Sequence, residues 1–195
     1  SYFEVRRVTP EYKDLDQNKN MMDYAARLLT YGVVVGKDAG TFSVLDEVTR
    51  SEILRIMIQA NCKDYVLEPV TTKPFPDVPL LHKDAMFIQA AKTANIISGY
   101  GDGTFRPDNK INRAEILKIL LEAALNKTFS RFDGAVVSYT DVPNDAWYAR
   151  YLRFMTTQKI LNEEGAQFKP EDNGTRGFIA STLLKILEFK DKLMR

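Results

Sequence analysis

A chain of 195 residues, 45% hydrophobic and 27% charged, has enough apolar material for a packed core of one or two domains. Lys+Arg number 27 and Asp+Glu 26, so no global field draws the molecule toward nucleic acid or an anionic membrane, and an anionic partner must be met by local arginines. No apolar run approaches the roughly 20 residues of a membrane span, and a single cysteine, Cys62, excludes an internal disulfide and reads as a packing residue.

In chain order, the first segment runs to residue 11. Tyr2 stands 63 residues before Tyr65, so this segment looks like the second half of a linker, and more chain is expected before Ser1. Asp14-x-Asp16-x-Asn18-x-Asn20 imitates the opening of a calcium-binding loop. Lys19 stands where that loop needs Gly and Ala25 where it needs a bidentate Glu, so the calcium reading is rejected. Thr49-Arg50-Ser51-Glu52 is a capping box that opens a helix.

The next unit, residues 75–125, is the clearest. Phe75-Pro76-Asp77-Val78-Pro79 is a rigid lead-in whose two prolines deny helix until about His82 to Asp84, and a helix is predicted from there to about Asn95. Gly99-Tyr100-Gly101-Asp102-Gly103 predicts a sharp reversal, after which Phe105 re-enters the core. Asn112-Arg113-Ala114-Glu115 is a second capping box. His82, the only histidine, reads as a polar surface residue and cannot support a His-based metal cluster.

The third unit, residues 139–195, repeats the plan with departures. Thr175-Arg176-Gly177-Phe178 has Phe178 where the box needs a carboxylate, so that helix start should be weaker by under about 1 kcal/mol. Asn162-Glu163-Glu164-Gly165-Ala166-Gln167 replaces the glycine loop, with two acids that would repel an anion.

These units are one design used three times. Phe42, Phe105 and Phe168 are 63 residues apart, as are Arg50, Arg113 and Arg176, and Ile53, Ile116 and Ile179. Asp14 and Asp77 keep that step and Asp141 follows after 64, so the third copy is one residue shorter between its Asp and its Phe. Such a period needs a stacked or ring-closed array, because one unit cannot bury its own apolar face. Apolar stripes at Ile53 and Met57, Ile116 and Leu120, and Ile179 and Leu183 are expected to meet around a pseudo-threefold axis. The joints, 62–74 and 126–138, read as extended linkers.

Asp-Val-Pro at Asp77 to Pro79, Gly-Tyr-Gly-Asp-Gly-Thr-Phe-Arg-Pro-Asp at Gly99 to Asp108 and Asn-Arg-Ala-Glu at Asn112 to Glu115 closely resemble the S-layer homology repeat of bacterial surface proteins. The resemblance runs from about Tyr12 to Leu187 as three copies. It implies a mainly α, three-pronged spindle with one helix of each copy in a central bundle, forming a single composite domain of repeats 12–61, 75–125 and 139–195. It also implies an extracellular role at the cell wall: noncatalytic anchoring to an acidic polysaccharide, often one carrying pyruvate ketals, without cofactor, nucleic acid or membrane insertion. Other surface-layer subunits are the alternative partners, in a lattice module whose glycan grooves have degenerated.

In that family the arginine of the helix-opening motif contributes to grooves between copies, which nominates Arg50, Arg113 and Arg176. An arginine at a helix mouth suits an anion, because unpaired N–H groups and the helix dipole already favour negative charge there. Asp14, Asp77 and Asp141, Gly36 and Gly99, and the aromatic surfaces of Tyr100 and Trp147 complete the candidate set. The aspartates also suit a turn-forming role, since a short carboxylate can satisfy local N–H groups. The resemblance predicts one or two working grooves here, not three. A glycan-processing enzyme would need carboxylates across a cleft, and Glu163 and Glu164 are adjacent in sequence.

Overall fold

The computed structural model describes residues 11–61, 65–125, 139–161 and 167–194. The expectations for Tyr2, Cys62, the 126–138 joint and residues Asn162 to Ala166 lie outside them. The described chain is helical: a 3-10 turn at Lys13–Leu15, then α1 (Lys19–Thr30), α2 (Arg50–Ala60), α3 (Ala85–Thr93), α4 (Arg113–Leu125), α5 (Ala149–Thr157) and α6 (Arg176–Leu193). Each copy supplies one odd-numbered and one even-numbered helix.

The start and stop of each helix follow from the sequence. Asn18 Oδ1 accepts the Met21 N–H at 3.1 Å and opens α1. Both capping boxes are formed, Thr49 with Glu52 and Asn112 with Glu115. Thr175 accepts the Phe178 N–H at 3.2 Å, and Phe178 has no carboxylate with which to answer. The odd-numbered helices end alike on a left-handed residue: Gly32, Asn95 and Lys159, with φ of 76°, 56° and 55°. The N–H of the next residue then reaches back to the final turn, from Val33 to Leu28, Ile96 to Ala91 and Ile160 to Met155.

The first two copies then reverse through their loops, and in all three the chain returns to the core at the same phenylalanine. Phe42, Phe105 and Phe168 are fully buried, each against a ring from its own lead-in: Tyr12, Phe75 and Tyr139 at centroid distances of 5.2, 5.3 and 5.5 Å. The stripes Ile53 and Met57, Ile116 and Leu120, and Ile179 and Leu183 are buried completely.

The copies close into a ring. Val48 N–H donates to Gly174 C=O at 3.1 Å, Gly174 N–H to Ile111 C=O at 2.8 Å, and Ile111 N–H to Val48 C=O at 3.4 Å. These residues are equivalent positions of the three copies, so each backbone group is satisfied by the neighbouring copy. Around this triangle the N–H groups of Arg50, Arg113 and Arg176 donate to the carbonyls of Asn109, Asp172 and Asp46. The helices exchange in the same sense: α3 packs on α2, α5 on α4 and α1 on α6, while α4 also packs against both α2 and α6. No copy is therefore a free-standing unit, and the joints between copies hold its apolar faces.

Candidate functional site

The three nominated arginines lie at these joints. Arg50 is 8% exposed; its Nε donates to Phe105 C=O at 3.0 Å and its Nη1 to Glu115 at 2.9 Å. Arg176 is 6% exposed, donates to Val35 C=O at 2.9 Å and pairs with Glu52, the first copy's counterpart of Glu115. Burial raises the Glu52 carboxyl, and the Arg176 hydrogen bond and charge outweigh that, holding it below the ordinary glutamate range. Arg113 meets Phe178 at the corresponding place, its guanidinium carbon 4.3 Å from that ring centroid and 4.9 Å from that of Phe168.

At the first of these joints a cleft of about 280 Å³ opens. Arg50 of the first copy, Gly99, Tyr100, Glu115 and Lys118 of the second and Trp147 of the third line it. Four nominated residues, scattered over 98 positions of sequence, are thus brought together by ring closure. Ile96, Ile97 and Ile119 form its apolar wall.

The aromatic surfaces of this cleft are unequal. The guanidinium carbons of Arg50 and Arg106 lie 4.6 and 4.2 Å from the Tyr100 ring centroid, so two cations engage that ring. Trp147, 53% exposed, is the more open aromatic surface, braced edge-on by Tyr148 and Tyr151.

The candidate glycines serve close approach. Gly99 has φ of 76°, and a Cβ there would sit 2.7 Å from the Phe75 ring and 2.8 Å from Thr104 C=O. Gly36, beside the Arg176 joint, lies against Tyr12, whose ring would be 2.5 Å from an added Cβ. Neither position admits a side chain without displacing core aromatics.

Asp14, Asp77 and Asp141 lie beneath the loops and clamp them. Each carboxylate accepts two successive N–H groups at 2.7 to 2.9 Å: Phe42 and Ser43, Phe105 and Arg106, Phe168 and Lys169. The second donor of each pair has φ between 55° and 59°, a left-handed turn that the carboxylate holds in place.

Two features escape the sequence. Asp84, 1% exposed, accepts from Ser51 Oγ at 2.9 Å and pairs with Arg55 Nε at 3.1 Å, clasping the second copy to the first. At the equivalent places stand Ala114 with Tyr148 and Gly177 with Met21, so the sequence period itself conceals the pair. His82 is the other. Its side chain is only 12% exposed, its Nδ1 accepts the Asp84 N–H at 3.1 Å, and it serves the start of α3.

The threefold repeat in the sequence matches a known family. The family model described as S-layer homology domain matches residues 11–54, 74–117 and 138–177, and the chain belongs to that family. An uncharacterized cell wall amidase of Bacillus anthracis is 26% identical over 90% of this chain and 33% of its own length. The S-layer protein EA1 of the same species is 29% identical over 66% of this chain and 15% of its own. A cellulosome-anchoring protein of Acetivibrio thermocellus is 30% identical over 63% of this chain and 26% of its own. The chain thus spans a third or less of the length of these relatives.

Proposed function

We propose that this chain is a noncatalytic module that anchors a larger protein at the bacterial cell surface by binding an acidic cell-wall polysaccharide. Membership of the S-layer homology family and the surface and anchoring roles in the relatives' names support the anchoring role. The observation that carries the binding site is the cleft where Arg50, Tyr100 and Trp147 of three different copies meet. An open indole can stack on a sugar face while a positively charged rim receives its carboxylate.

This reading assigns one working cleft. At the Arg176 joint, Arg176, Glu52, Arg55 and Asp84 are committed to one another, which makes that joint a structural clasp. Around Arg113, Phe178 stands where the first two copies carry Glu52 and Glu115, and the Phe168 and Phe178 rings lie against the guanidinium. Sedimentation with purified wall material tests the assignment. Trp147→Ala should leave the chain in the supernatant while it still unfolds cooperatively at a slightly lower melting temperature, and equal pelleting of variant and wild type would refute it.

A protein-lattice role is the second reading, and exposed Leu45 and Leu81, at 84% and 98%, favour it. It predicts self-association or partner capture that persists after wall sugars are removed.

A further inference from the structure

Resting on the glycan reading above, we propose that Lys118 is the residue that selects an acidic ligand in this cleft, and that Arg50 chiefly positions the cleft's wall. Arg50 has two of its donor nitrogens spent on Phe105 C=O and Glu115, and the Glu115 carboxylate offsets its charge at 2.9 Å. The Arg50–Glu115 pair therefore contributes little net field to an incoming anion.

Lys118 is different. It follows Glu115 by three residues on α4, on the same helical face, and lines the same cleft. Its side chain is half-buried, yet its ammonium makes no hydrogen bond or ion pair with any described residue. Ile96, Ile97 and Ile119 line the same cleft, apolar surface of the kind that a lysine stem can cover while its charged head keeps to water. Among the described residues that line the cleft, Lys118 is accordingly the cation without a counter-charge.

The other copies supply an internal comparison. The position of Lys118 is held by Arg55 in the first copy, where it pairs with Asp84 and Glu52, and by uncharged Ser181 in the third. Only the second copy keeps an uncommitted cation there. It does so in the cleft that also has the open Trp147.

The test uses two probes, the methyl glycoside of an N-acetylated amino sugar bearing a pyruvate ketal and its neutral methyl ester, titrated calorimetrically into the whole chain. Wild type should bind the acid roughly tenfold more tightly than the ester, the range of a charge-assisted contact. Lys118→Gln should bring the two affinities within about twofold by weakening the acid alone, and Lys118→Arg should restore the preference. If Lys118→Gln keeps the preference, or weakens both probes alike, the assignment of Lys118 is overturned while the glycan reading stands. If wild type binds both probes equally, acid selection is absent and the proposal falls. If it binds neither, the proposal falls together with the glycan reading.

Discussion

Glu115 of the second copy holds Arg50 of the first at 2.9 Å, and the same carboxylate caps α4 through the Asn112 N–H. One side chain thus starts a helix and closes a joint between copies. Glu115→Ala removes the cap and leaves a nearly buried guanidinium without its counter-charge, which should cost about 3 kcal/mol. Urea denaturation reads this as a lower midpoint. A loss within 0.5 kcal/mol, the scatter of ordinary surface substitutions at about that size, would show that the joint does not depend on the pair.

The clasp around Asp84 makes a parallel case at higher burial. Asp84→Ala removes the 3.1 Å partner of Arg55, leaving it only the longer 3.7 Å contact to Glu52, and takes the acceptor from Ser51 Oγ, with an expected loss of about 2 kcal/mol. The double variant Ser51→Ala, Asp84→Ala should recover part of that loss, because Ala already occupies the Ser51 position in the second copy. Thermal unfolding of the single and double variants measures the coupling.

Much of this fold was legible in the sequence, because the 63-residue step in Phe42, Phe105 and Phe168 reports which residues share one environment. The helix mouths at Thr49, Asn112 and Thr175 were equally open to reading, since capping is a local property of four residues. What the period concealed is what differs between copies. Asp84 and Lys118 each gain meaning only when a particular neighbour is placed beside them by ring closure, whereas Trp147 could be nominated from the sequence and only its neighbours could not. Arg50 was legible as a residue of the joint, while its commitment to Glu115 depends on a pairing across 65 positions of sequence.

The aspartate clamps carry a pH dependence of definite sign. Burial raises the Asp14 and Asp77 carboxyls, and the two N–H donors on each outweigh that, so both stand below the ordinary aspartate value of about 3.9. The unfolded chain then takes up these protons more readily. The clamps' contribution is fully present above the ordinary value and is lost as pH falls through the depressed native one. Acid denaturation should show stability falling below about pH 4 in the wild type. The Asp14→Asn, Asp77→Asn double variant should be less stable at neutral pH, with a shallower acid limb.

Lys159 closes α5 at φ of 55°, where the first copy uses Gly32. A left-handed conformation costs a non-glycine residue on the order of 1 kcal/mol, and the exposed Lys159 side chain forms no hydrogen bond or ion pair with any described residue. Lys159→Gly should therefore raise stability by about that amount, seen as a higher melting temperature. A fall would mean that the lysine supports the end of α5.

Trp147, the only tryptophan in the chain, lies in the proposed cleft, so its emission is a direct report of occupancy. Titrating the chain with purified, pyruvate-bearing wall polysaccharide should give a saturable change in tryptophan fluorescence whose midpoint moves to roughly tenfold higher concentration in Lys118→Gln. Retention of the chain by that polysaccharide with the Trp147 emission unmoved would contradict the account, since the sugar would then be held somewhere other than where the three copies meet.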